Sequence, residues 1–230
     1  MISHKHKCIF IHIAKCAGTS IEYAFGVDVE NHKAEENDFL FGWDKTNKLW
    51  LQHATPQQLI DYKYISQNQW DSYYKFIVYR NSWDRAYSDY IWMKDVRNTF
   101  GSFSNFLFKK GEYDRILNDY STNYYAGDHL YLQKDYFFLN NNRINYNVEI
   151  DFENLQNGFK KVIHDLNLSD DFFIRKINSA KVIEKEHYSH FYNFRHKKIV
   201  EKIYKEDIDF FDFKFIDKKN FTQKLFHYIK

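Results

Sequence analysis

The first apolar block of the chain, KCIFIHI at Lys7 to Ile13, is rich in β-branched and aromatic residues. It predicts a buried strand that runs straight into the turn AKCAGTS. From Thr19 the spacing becomes helical: Ile21, Ala24 and Phe25 share a face, Thr19 or Ser20 can cap the first turn, and Gly26 can end the helix. After the polar stretch Asn31 to Asp38, a short apolar segment at Leu49 to His53 leads into ATPQQLIDY. There Thr55 is placed to cap a helix that has Pro56 at its first position. Phe76 to Tyr79 predict a second buried strand, and a helix follows from the cap at Asn81 or Ser82 to about Val96. Further helical segments are expected at Phe103 to Lys110, Tyr113 to Asp119 and Asn123 to Lys134, and a strand at Tyr146 to Phe152. Leu155, Phe159, Val162, Ile163 and Leu166 fall at helical spacing, as do Ile199, Ile203 and Ile208 within an amphipathic helix near Phe194 to Asp209.

Strands alternating with helices predict an α/β fold with a central parallel sheet flanked by helices. The 230 residues fit one domain, 1–230 with its core at about 7–213, and no internal repeat or low-complexity linker divides them.

Charge narrows the partners: 33 basic against 31 acidic residues give a formal net charge of +2, without the basic footprint of a dedicated nucleic-acid binder. No nucleic-acid partner is expected, and any anion is expected to be gripped locally. The two cysteines, Cys8 and Cys16, lie in one strand–loop unit and imply no disulfide framework, so a reducing, cytoplasmic setting is expected. The apolar run Cys8 to Ala14 is broken by His12 and is too short for a membrane span, so no transmembrane segment is expected. Aromatic residues make up 20% of the chain and Pro56 is its one proline, which we read as compositional bias as much as function.

The candidate chemistry begins at the turn after the first strand. Loops at the carboxyl ends of parallel strands are where α/β sheets bind ligands. In the run Ala14 to Ser20, Gly18 lets backbone approach phosphate oxygens, Thr19 and Ser20 add hydroxyls, and Lys15 brings an ammonium. The lysine precedes the only glycine, whereas the triphosphate-binding pattern G-x-x-x-x-G-K-[ST] places it after the last one, so that motif is rejected. Taken alone, K-x-x-G-[ST]-[ST] fits a capped glycine turn equally well. Arg80, at the end of the second strand, and Ser88, on the following helix, form a second candidate anion site, with Arg85 on the same helix face as Ser88.

Together, IFIHIAKCAGTSIE and FIVYRNSWDRAYSDY resemble the carbohydrate type of sulfotransferase that uses 3′-phosphoadenosine 5′-phosphosulfate (PAPS). QHATPQQL, VEIDFENLQNGFKKVIHDLNL and IVEKIYKEDIDFF are similar to further segments of that family, so the likeness runs discontinuously from about Cys8 to Phe211. Ala14 and Ser82 stand where the family commonly has proline, and the glycine-rich nucleotide-closing motif of the cytosolic small-molecule enzymes has no counterpart. The resemblance implies the sulfotransferase variant of the P-loop nucleotide-kinase-like fold, with PAPS as donor and a glycan or other hydroxyl as acceptor. It implies that Lys15, Cys16, Ala17, Gly18, Thr19 and Ser20 hold the 5′-phosphosulfate and that Arg80 and Ser88 hold the 3′-phosphate. The basic stretch with Arg175, Lys176, Lys181 and Lys185 is a candidate cover for the nucleotide.

Lys15 is the expected donor to the leaving oxygen, and no metal is expected to be required. His53, in the family-like histidine segment, is the first choice of base, with His12 as its rival. Glu153 in FENL is read as a helix start ahead of a catalytic carboxylate. Two alternatives stay open: a nucleotide-dependent kinase, and a non-catalytic protein that binds an anion or nucleotide.

Overall fold

A computed structural model of the chain describes residues 1–27, 39–173 and 186–220. The polar stretch Asn31 to Asp38 and the basic positions Arg175, Lys176, Lys181 and Lys185 lie outside the described residues. The strands are β1 (Ile2–Ser3), β2 (Cys8–Ile11), β3 (Trp43–Asp44), β4 (Leu49–Trp50), β5 (Tyr74–Tyr79), β6 (Phe138–Leu139), β7 (Asn142–Arg143) and β8 (Val148–Asp151). The α-helices are α1 (Gly18–Ala24), α2 (Pro56–Asp61), α3 (Gln67–Ser72), α4 (Ser82–Asp95), α5 (Phe103–Leu107), α6 (Asp114–Asn118), α7 (Leu155–Asp165), α8 (Phe194–Ile203) and α9 (Lys205–Phe211). Contacts divide the chain into two compact units, the first made of Met1–Arg80, Tyr120–Asn123 and Asp135–Lys181, the second of the remaining stretches. Among the described residues, no helix is long and apolar enough to cross a membrane.

The first unit holds a sheet of order β1-β2-β5-β8. β2, β5 and β8 are parallel, with Ile11 opposite Ile77 and Tyr79 opposite Asp151, so their carboxyl ends reach one edge together. The sheet is mixed and not purely parallel as expected, because β1 runs antiparallel to β2. The physical reason is the four-residue connection 4–7, far too short for the crossover that parallel pairing needs. β2 is buried throughout and β5 from Lys75 to Val78, as strands covered on both faces must be. The α-helix α2 starts as its sequence predicts: Thr55 accepts from Gln58 N–H while Gln58 accepts from Thr55 N–H, a complete capping box with Pro56 next in line. α7 packs on β8 so closely that a Cβ added at Gly158 would stand 2.4 Å from the Ile150 side chain. The apolar segment at Leu49 to His53 is strand only over β4 and then tightens into a 3-10 turn, Leu51–His53.

The second unit is helical, with an aromatic core that includes Trp83, Tyr90, Phe103, Phe106, Tyr113, Tyr192 and Tyr204. Asn81 caps α4 by accepting from Trp83 N–H at 3.1 Å. Residues 123–134, expected as a helix, instead contain the 3-10 turn Gly127–Leu130. Tertiary partners take their backbone groups: Ala126 N–H bonds the Ile116 carbonyl at 2.8 Å, and the carboxylate of buried Asp207 accepts from Gln133 and Lys134 N–H. The expected helix over 194–209 is broken at Tyr204 (φ −104°, ψ 27°) into α8 and α9. Buried Arg85 donates to the His129 and Tyr131 carbonyls, with Asp207 at 4.0 Å, so it is a core group of this unit and not an open anion ligand.

Candidate functional site

β2 delivers the chain to the loop at the carboxyl edge of the sheet. In that loop Lys15 (φ 67°) and Ala17 (φ 64°) both take the left-handed conformation. Neither is glycine, and each such residue costs about 1 kcal/mol or more, so the loop must be held by its surroundings. The holding contacts are specific. Cys16 N–H bonds the Ile13 carbonyl at 3.2 Å, and the fully buried Cys16 thiol points to the Ala14 carbonyl at 3.7 Å. Arg80 Nη1, from the end of β5, donates to the Lys15 carbonyl at 2.9 Å. The same guanidinium lies 4.0 Å from the centre of the Phe152 ring, beyond the end of β8.

Left-handed residues in a tight turn aim successive N–H groups to one side, the arrangement of an anion-binding concavity. Ile21 N–H bonds the Ala17 carbonyl and closes the first turn of α1. The N–H groups of Gly18, Thr19 and Ser20 precede that bond and have no hydrogen-bond partner among the described residues. Lys15, Ala17 and Ser20 are half-buried and Thr19 is exposed, whereas Cys16 shapes the loop from inside.

Beneath the loop lies a buried polar group that the sequence reading did not assemble. His12 follows directly on β2 and is 5% exposed, and its Nδ1 is 3.0 Å from Oε1 of Glu22, which is 0% exposed. A Cβ added at Gly18 would stand 1.8 Å from His12 Nε2, so the glycine is required because a ring fills the space a side chain would need. Phe10 stacks on one side of His12, and the ring of His53 meets it edge-on with centroids 4.7 Å apart. Burial pushes the His12 imidazole below its ordinary value of 6.5, and Glu22 opposes that shift. The second oxygen of Glu22 has no hydrogen-bond partner among the described residues.

The first unit therefore brings together Lys15 to Ser20, Arg80 and, through His12, His53. His53 is buried in its 3-10 turn, where its carbonyl accepts from Tyr136 Oη at 2.8 Å. Ser88 is carried by α4, half-buried, and belongs to the second unit, outside that group. Glu153 is exposed and its N–H donates to Asp151 Oδ1 at 2.9 Å, the geometry of a helix start. The missed residue, Glu22, did carry a signal: Gly18, Ile21, Glu22 and Phe25 fall at i, i+3, i+4 and i+7, placing a carboxylate on the inward stripe of α1. No family model, no curated protein and no solved structure matches the chain.

Proposed function

We propose that the chain is a PAPS-dependent sulfotransferase that moves a sulfuryl group onto a hydroxyl, with a carbohydrate as acceptor and a fold of the P-loop nucleotide-kinase-like sulfotransferase type. The observation that carries the reading is the 2.9 Å bond from Arg80 to the Lys15 carbonyl, which ties together the two segments on which the resemblance rests. Support also comes from the left-handed turn at Lys15 and Ala17 and from its position at the carboxyl edge of the parallel strands.

In this reading Lys15 to Ser20 hold the 5′-phosphosulfate, while Arg80 binds the 3′-phosphate. The acceptor oxygen attacks sulfur in line, and the bond from sulfur to the bridging phosphate oxygen breaks. The products are a sulfate ester and adenosine 3′,5′-bisphosphate. Lys15 donates to the leaving oxygen as its charge grows, and His53 takes the proton of the acceptor hydroxyl. Positioning and fixed charge do the work, as in phosphoryl transfer, and the ammonium supplies the positive charge without a metal. Cytoplasmic residence belongs to the same proposal, and Cys8 and Cys16 are both buried free thiols.

The test is thermal stabilisation by adenosine 3′,5′-bisphosphate, adenosine 5′-phosphate, and ATP with magnesium, followed by transfer from labelled PAPS to a panel of glycans and other hydroxyl acceptors. A ligand at about 100 times its Kd stabilises by about 2.7 kcal/mol, which is readily measured. Preference for the bisphosphate with label transfer is the expected result. Preference for ATP would instead indicate a kinase, and bisphosphate binding without transfer to any acceptor a non-catalytic binding protein.

A further inference from the structure

The carboxylate of Glu22 is completely buried, yet its one hydrogen-bond partner among the described residues is an imidazole. Such a pair is built to hold a proton only when something nearby favours positive charge. The groups that act on His12 are Glu22 from α1, His53 from the 3-10 turn and the Met1 ammonium just before β1. Glu22 favours the imidazolium, whereas His53 and the ammonium oppose it. His12 Nε2 has no hydrogen-bond partner among the described residues and abuts Gly18, in the middle of the loop. A dianion seated on that loop would tip the balance.

We propose that His12 takes up a proton when a sulfate- or phosphate-bearing ligand binds at Lys15 to Ser20, with Glu22 fixing the ring, so that an imidazolium beneath Gly18 joins Lys15 in neutralising the ligand. The inference rests on this loop being the donor site proposed above. Glu22 acts through His12 and is a positioning residue; His12 is the group whose charge changes. Nδ1–H faces Glu22 in both states, and the added proton sits on Nε2, the nitrogen that faces the loop.

The experiment is titration calorimetry of the whole protein at pH 7 with adenosine 3′,5′-bisphosphate, and separately with inorganic sulfate, whose own charge is fixed near neutrality. Each is run in two buffers of different ionisation enthalpy. The expected result is uptake of about half a proton or more per ligand bound. The uptake disappears in His12→Asn, whose amide can still donate to Glu22, and bisphosphate affinity falls about threefold to tenfold. Glu22→Gln is expected to reduce the uptake as well. Should His12→Asn fail to fold, the imidazole NMR signal of His12 in the unaltered protein supplies the readout, moving to its protonated position on ligand addition. Binding without uptake, or equal uptake in His12→Asn, overturns this proposal and leaves the donor assignment standing. Sulfate binding with uptake but no binding of the bisphosphate removes the donor assignment and keeps the proton-taking anion site. If neither ligand binds, both fall.

Discussion

Gly18→Ala offers the sharpest check on the packing beneath the loop, because propensity and sterics predict opposite signs. Gly18 is the first residue of α1 with ordinary helical backbone, so alanine alone would be expected to stabilise by about 1 kcal/mol. The added methyl, however, would stand 1.8, 1.9 and 2.2 Å from three atoms of the His12 ring, distances that no small adjustment relieves. The ring is stacked on Phe10, abuts His53 and bonds Glu22, so displacing it would disturb all three contacts. Overpacking costs about 2 kcal/mol. Loss of the bond to the Glu22 carboxylate, whose other oxygen has no partner among the described residues, costs about 2 kcal/mol more. The net loss is then about 3 kcal/mol, or about 6–12 °C in Tm for a chain of this size. The assay is urea denaturation followed by tryptophan fluorescence, with Gly18→Ala measured alone and in a His12→Ala background, where the methyl has room. A cost of about 3 kcal/mol in the first and a gain of about 1 kcal/mol in the second is expected. A cost below about 0.5 kcal/mol, or the same cost in both backgrounds, would refute the assigned packing.

Lys15→Ala and Arg80→Ala are each expected to lower kcat/KM with PAPS by tenfold or more, the second because the Lys15 carbonyl loses its guanidinium; steady-state rates within about threefold of wild type would remove both roles. His53→Ala should abolish turnover while bisphosphate binding, followed by thermal shift, persists. Asp207→Ala should destabilise by about 3 kcal/mol or more in chemical denaturation, since it leaves Arg85 buried beside an empty site and two backbone N–H groups without their acceptor. Burial holds His12 and His196 below the ordinary 6.5, so below that pH the unfolded chain binds protons the folded chain does not. Their contribution is therefore complete above about pH 6.5 and is lost as pH falls beneath it, and the urea midpoint should drop between pH 7 and 5.5, less steeply in His12→Asn.

Local physics made much of the secondary structure legible. The apolar blocks at Cys8 and Phe76 became β2 and β5, and Thr55-Pro56 and Asn81 became helix starts, because each rests on a few neighbouring residues. The antiparallel β1 was missed because two residues carry too little pattern to be seen. Helical spacing also failed where distant groups decide the backbone: at 123–134, whose N–H groups bond Ile116 and Asp207, and at Tyr204. The loop itself was identified as a candidate from its residue types, but two of its properties were not. Left-handed Lys15 and Ala17 are conformations that sequence disfavours and tertiary contacts impose. The pairing of His12 with Glu22 depends on how α1 folds back over the end of β2. Spacing placed Arg85 on the helix face of Ser88, and only its tertiary partners identify it as core.

The bond between Arg80 and Lys15 spans 65 positions of sequence, and this has a consequence for the order of events during synthesis. A nascent chain carries the loop early, but the guanidinium that restrains it is made much later, and β8, which completes the sheet, later still. Until then the left-handed turn has only its local contacts, Cys16 with Ile13 and Ala14, to set against the cost of its backbone. Each compact unit also draws on three separate stretches of chain, so neither can be released by a single cut or made as one continuous fragment. The loop Lys15 to Ser20 emerges before the guanidinium that restrains it and takes its final shape only afterwards.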